Sequence, residues 1–225
     1  METLTLYDIS TWIIPLVLAI TLHEAAHGFV AHRLGDDTAY RMGRVTFNPL
    51  KHIDRFGTIL LPALLLLTRA PFLFGYAKPV PVNFSALRHP RRDTVLVAFA
   101  GPFTNIMLAL LSALLLHLEN FISPEQAPWI FANLYLSIQI NLVLAVFNML
   151  PILPLDGGRV LGGFLPAPLL RPYARLERYG IVIVLALMLL PSLLGNNFNI
   201  LQYLIGKPVN FLYENILFMV GVGNG

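Results

Sequence analysis

The 225-residue chain contains no cysteine, which excludes a disulfide framework, a thiolate metal site and a cysteine nucleophile. It is also poor in charge: Asp, Glu, Lys and Arg make up 12% of the residues, against about 25% in an average soluble domain. With 56% hydrophobic residues and a mean hydropathy of +0.70, its length cannot be read as one or two soluble domains. The first residues lack a basic n-region and carry Glu2 and Asp8 instead, so they do not read as a signal peptide. No internal repeat and no low-complexity tract is present. A net charge of +3 and a pI near 9.3 would suit a nucleic-acid ligand only if the basic residues shared one soluble face, and they do not. Seventeen prolines and sixteen glycines argue against a simple bundle of uninterrupted helices. What remains is a polytopic membrane protein.

Several apolar runs reach or approach the roughly 20 residues that cross a bilayer core. They are Trp12 to Ala31, Thr94 to Leu116, Gln126 to Leu155 and the shorter Gly180 to Gly195. Trp129 stands where an interfacial anchor belongs. Ile200 to Val222 is interrupted by Gly206-Lys207-Pro208 and reads as either a kinked last span or an interfacial segment. Fourteen of the fifteen Lys and Arg fall in three segments, 32–55, 69–93 and 159–178. The N-terminus and the loop with Glu119 and Glu125 have none. The positive-inside rule puts the three basic segments on the cytoplasmic side. Two of them flank Phe56–Thr68, which as a helix would be only about 20 Å long. That stretch, with Pro62, therefore reads as a re-entrant element, tolerable where protein or a water-filled cavity covers it; a short tilted span is the alternative.

His23-Glu24-Ala25-Ala26-His27 is a polar island inside the first apolar run. On a helix, residues i and i+4 share a face, so both imidazoles can reach one ion. Glu24, one position along, can contact a water at that ion without ligating it. Two nitrogen ligands beside a carboxylate base is the arrangement of a zinc hydrolase. A helix-to-helix polar contact or an ion pathway is the competing reading of ionisable groups at that depth.

Two histidines leave a tetrahedral ion short of a protein ligand. Asp156 is the candidate, the only acid between Glu125 and Glu177, following two prolines and preceding two glycines. An ordinary Asp-Gly turn is the alternative. If 56–68 does not cross, the spans before His27 and before Asp156 both run inward, and the two motifs meet on the cytoplasmic side. Residues 40–48 and 75–84 are rich in β-formers. Lys78, Pro79, Val80, Pro81, Val82 and Asn83 can present a strand edge to an unwound substrate, because proline is tolerated at an edge; a loop packed over the helices is the alternative. Gly101-Pro102 reads as a helix start, with Asn105 able to bond across to the motif helix. His32, His89 and His117 read as interfacial, His52 and Asp54 as structural or entrance residues, and Arg159 as the partner of a turn or a carboxylate.

Taken together, His23 through Gly28, Gly43 to Asp54, Gly75 to Asn83, Ala100-Gly101-Pro102 with Asn105, and Asn148 through Arg159 resemble the site-2 proteases. These are intramembrane zinc metalloproteases, and the likeness is to the short type without PDZ or CBS domains. The resemblance implies one Zn2+ held by His23, His27 and Asp156, with Glu24 as base and acid. It also implies that Asn148 lies near the scissile carbonyl. The substrates it implies are transmembrane proteins, cut within or near their spans in regulated intramembrane proteolysis.

The expectation is thus an all-α polytopic membrane protein with about four to six transmembrane helices. A re-entrant or membrane-associated β-hairpin/loop region lies between its first and third apolar segments. Residues 1–225 form one domain, with the catalytic core at about 10–160 and C-terminal helices at about 178–222. The expected partners are the lipid bilayer and membrane-protein substrates, not nucleic acid. The expected location is a prokaryotic cell membrane, with the active site nearer the cytoplasm. A metal or proton transporter using the same His/Glu/Asp cluster is the competing class.

Overall fold

The computed structural model describes residues 6–67, 75–194, 200 and 202–222, and among these the regular structure is entirely helical. Three helices form the frame: α1 (Leu6–Arg33), α4 (Pro90–Leu115) and α5 (Ala127–Asn148). Between α1 and α4 lie the single turn α2 (Thr38–Arg41), a π-helical segment Arg55–Leu60 and α3 (Leu61–Leu67). After α5 come α6 (Asp156–Phe164), α7 (Ala167–Arg175), α8 (Gly180–Leu194) and α9 (Lys207–Met219).

Among the described residues, three helical stretches are long and apolar enough to cross a membrane: Ser10–Arg33, Pro90–Phe121 and Ala127–Asn148. They are apolar on all sides, with Leu18, Phe103, Met107, Leu111 and Leu114 exposed, as expected of a helix that meets lipid outside and protein inside. Where they cross, the buried residues are small: Ala19 and Ala25 on α1, Ala98, Ala109 and Ala113 on α4, and Ala145 on α5. Small side chains let backbones approach, which drives helix association where the surroundings are as apolar as the core. Ile138 and Leu142 fill the space between, and Val209 and Ile216 of α9 close the same cluster. Trp129 donates its indole N–H to Ser10 Oγ at 3.0 Å, tying the start of α5 to the start of α1.

α4 starts at Pro90, well before Gly101-Pro102, so the expected helix start is corrected: Pro102 lies inside the helix. The true start has a proline in its first turn, and Asp93 Oδ2 accepts the N–H of His89 at 2.8 Å. An interior proline is tolerated here because neighbouring helices enclose it. Residues 40–48 and 75–83 form no strand. Pro79 and Pro81 each remove a ladder donor, and the carbonyls of Lys78 and Pro79 are taken by the Arg44 guanidinium at 2.8 and 3.3 Å. The segment is nonetheless pinned by its backbone donors. Lys78 N–H donates to His52 O at 2.9 Å, Tyr76 N–H to Gly57 O at 3.1 Å, and Asn83 N–H to Asp36 Oδ2 at 2.7 Å. Of the 56–68 stretch, residues 56–67 are helical, and Thr68 lies outside the described residues.

Candidate metal centre

α1 carries His23 and His27 one turn apart, both buried. α5 ends at Asn148, and the chain turns back tightly enough for Asp156, the first residue of α6, to reach them. The turn depends on the two glycines for closeness rather than for backbone freedom. A Cβ at Gly157 would stand 2.1 Å from Met149 O, and one at Gly158 would stand 2.6 Å from the Ile152 carbonyl carbon.

The three side chains converge on one point. His23 Nε2 and His27 Nε2 are 3.0 Å apart. Asp156 Oδ2 lies 3.2 Å from the first and 3.3 Å from the second. Each histidine turns its other nitrogen to an oxygen: His23 Nδ1 donates to Asn105 Oδ1 at 2.5 Å and His27 Nδ1 to Val97 O at 2.7 Å. With the protons on Nδ1, both Nε2 atoms present lone pairs, and they face a carboxylate oxygen that is buried and receives no hydrogen bond. Three electron-rich atoms at such distances repel one another unless a cation lies between them. Donors about 2.1 Å from a tetrahedral ion are about 3.4 Å apart, close to the spacing seen. Two imidazoles and one carboxylate are a zinc-type donor set. Gly101 of α4 forms the floor of the cradle: a Cβ there would lie 2.5 Å from His27 Nε2 and 2.6 Å from His23 Nε2.

A cavity of about 520 Å³ opens beside this group and is lined by Glu24, Asn148, Pro79, Val80, Val82 and Arg159 among others. That volume falls within the range of small-ligand clefts, about 300–1,000 Å³. Glu24 points into it and accepts the N–H of Val80 at 2.8 Å. Asn148 donates to Leu144 O at 3.0 Å and lines the cavity. Lys78, Pro81 and Asn83 do not line the cavity and instead belong to the pinned segment around it. The N–H and C=O groups of Ala77 and Val82 find no partner among the described residues. Arg159 pairs with Glu177 at 3.0 Å and stacks on Phe84.

Among the described residues, His23, His27 and Asp156 are the one group of metal-type donors that converges. His32 pairs with Asp37, His52 with Thr46 O and His117 with Val220 O, all away from it. Sequence reasoning missed the metal-facing role of Gly101, the Val97 carbonyl and the polar residues Asn141, Ser137 and Ser112 behind Asn105. A small residue beside a proline inside an apolar run was the available signal for Gly101.

The profile of peptidase family M50 matches residues 11–127 and 122–191. The chain belongs to peptidase family M50. M50, the site-2 protease family, also accounts for the relatives found. YwhC of Bacillus subtilis, provisionally named a zinc metalloprotease, is 40% identical over 183 residues, covering 80% of each chain. Rip2 of Mycobacterium tuberculosis, named in the same provisional way, is 31% identical over 188 residues, covering 84% of this chain and 70% of its own. Rip2 of Mycolicibacterium smegmatis is 30% identical over 177 residues, covering 79% and 66%. No solved structure matches this M50 chain.

Proposed function

We propose that this chain is an intramembrane zinc metalloprotease that hydrolyses peptide bonds within or near the transmembrane segments of membrane proteins, as in regulated intramembrane proteolysis. The observation that carries the reading is the meeting of His23, His27 and Asp156 beside Glu24 in one cavity, with both histidines on an apolar helix long enough to span. The zinc metalloprotease names of the relatives support the metal and the reaction class. Four to six spans, with residues 56–68 re-entrant, and a bacterial cell membrane with the site toward the cytoplasm complete the proposal. The sorting of basic residues supports that orientation.

His23, His27 and Asp156 hold the zinc, which when bound supplies Lewis acidity and lowers the pKa of a water in the cavity. Glu24 takes the proton of the attacking water and returns it to the leaving amide nitrogen. The Asn148 side-chain amide, reoriented from Leu144 O, donates to the developing oxyanion. A helical substrate has its amides locked in internal bonds and must unwind to be cut. The pinned segment Lys78 to Asn83, with Ala77 before it, then acts as an edge: the backbone groups of Ala77 and Val82, without a partner among the described residues, pair with the extended substrate. The apolar walls exclude bulk water from the remaining substrate backbone.

The test uses the full chain in vesicles with a single-span substrate whose outer domain has been trimmed. The expected result is chelator-sensitive cleavage at a bond that mass spectrometry places within or at the edge of the span. Zinc flux across the vesicle membrane without cleavage would overturn the reading in favour of a transporter.

A further inference from the structure

Behind His23, a chain of buried polar side chains crosses the helix bundle. Asn105 on α4 and Asn141 on α5 are 0% and 1% exposed. Asn105 Oδ1 accepts from His23, while its Nδ2 donates to Asn141 Oδ1 at 2.8 Å and to Ala19 O at 3.3 Å. Asn141 Nδ2 donates onward to Ser137 O at 2.9 Å and Ser137 Oγ at 3.3 Å, and Ser137 Oγ meets Ser112 Oγ at 2.8 Å. Buried polar groups cost about 1–3 kcal/mol each when left unpaired, so every member is tied to the next.

An asparagine amide is reversible in a way a backbone carbonyl is not. Rotated by half a turn, Asn105 would present its NH2 to His23 Nδ1. That nitrogen would have to accept, and the ring proton would move to Nε2, into the space shared with His27 and Asp156. His27 faces no such choice, because the Val97 carbonyl can only accept. For His23 the choice falls to Asn105, whose NH2 is held by the Ala19 carbonyl, which can only accept, at 3.3 Å and more closely by Asn141 at 2.8 Å. The Ser137 carbonyl can only accept, so Asn141 must turn its NH2 there and its oxygen to Asn105. Asn105 must then turn its NH2 to Asn141 and its oxygen to His23.

We propose that Asn141 is a positioning residue for the metal centre: through Asn105 it fixes the His23 proton on Nδ1 and keeps the Nε2 lone pair directed at the ion. Asn141 touches neither a ligand of the metal nor the cavity. The inference rests on the zinc reading of the site. Outer partners of metal-bound histidines are commonly worth about 10–100-fold in metal affinity, and that is the size of effect expected.

The experiment measures zinc affinity by chelator competition, and thermal stability without metal, on the purified full chain in detergent. Asn141→Leu keeps the volume and removes the acceptor; zinc should bind about 10–100-fold more weakly. Asn105→Asp offers His23 an oxygen in either rotamer. The double variant Asn105→Asp with Asn141→Leu should therefore recover affinity to within a few-fold of the parent chain. A packing role for Asn141 would show no such rescue. Ser112→Ala, beyond the groups that set the direction, should leave affinity unchanged. Unaltered zinc affinity in Asn141→Leu, or no recovery in the double variant, overturns the proposal. If Asn141→Leu does not fold, Asn141→Asp against Asn141→Ala decides: retained affinity in the first, which keeps an acceptor toward Asn105, and loss in the second supports it, equal affinities refute it. Failure of the parent chain to bind one zinc would instead defeat the underlying reading.

Discussion

Gly101→Ala separates the metal centre from the fold by the addition of one carbon. The new Cβ would lie 2.5 Å from His27 Nε2 and 2.6 Å from both Nε2 and Cε1 of His23. Non-bonded heavy atoms prefer roughly 3.5 Å or more, so the contacts are about 1 Å too short. Metal–ligand distances tolerate only about 0.2 Å, so any movement that relieves the clash takes both imidazoles out of coordination range. Because even an outer-shell partner is worth about 10–100-fold, zinc affinity should fall by more than about 100-fold. The fold should suffer less. Alanine is favoured over glycine inside a helix by about 1 kcal/mol, against an overpacking cost of about 1–3 kcal/mol, leaving a net loss of about 0–2 kcal/mol. The assay combines zinc content after dialysis, cleavage of a single-span substrate and thermal unfolding of the metal-free chain. A Gly101→Ala chain that keeps one zinc at parent affinity and still cleaves would refute the reading of Gly101 as the floor of a metal cradle.

Asp156→Ala should abolish stoichiometric zinc, read by metal analysis of the purified chain. Gly57 lies under the Tyr76 ring, where a Cβ would stand 2.4 Å from it; Gly57→Ala should shift the 75–83 segment and raise KM for substrate with zinc content unchanged. Arg44→Leu removes the bonds to the carbonyls of Lys78 and Pro79, each worth about 1.5–3 kcal/mol as a charge-assisted contact. It should speed limited proteolysis within 75–83 and lower kcat/KM.

The legible part of the site follows from helix geometry alone. His23, Glu24 and His27 lie within five residues, so their shared helical surface needs no tertiary knowledge. Asp156 needed one topological step, the sidedness of the basic segments, and the structure brings it to within 3.3 Å of both histidines. Arg159 found the carboxylate expected of it in Glu177. What could not be read depends on which helix faces which. Gly101 matters because α4 crosses α1 at the histidines, and no local pattern encodes that crossing. Pro102 suggested a helix start because proline is rare inside soluble helices, a habit that spans in a protein-lined membrane environment need not follow. Asn141 and Ser137 are isolated polar residues in an apolar run; their use appears only when α4 and α5 are packed together. β-rich composition at 75–84 suggested a strand edge, but pairing is a property of two segments. Here Arg44, His52 O and Asp36 occupy the groups a neighbouring strand would have used.

The central claim is that Glu24 performs the chemistry on a metal it does not hold. Glu24 accepts the Val80 N–H and stands outside the converging donor group. The decisive measurement is zinc content and substrate cleavage on the same preparation of Glu24→Gln, which keeps the shape and removes the base. The account expects one zinc per chain, as in the parent, and cleavage lowered by at least about 10²–10⁴-fold. Cleavage at the parent rate, or loss of zinc together with activity, would contradict it.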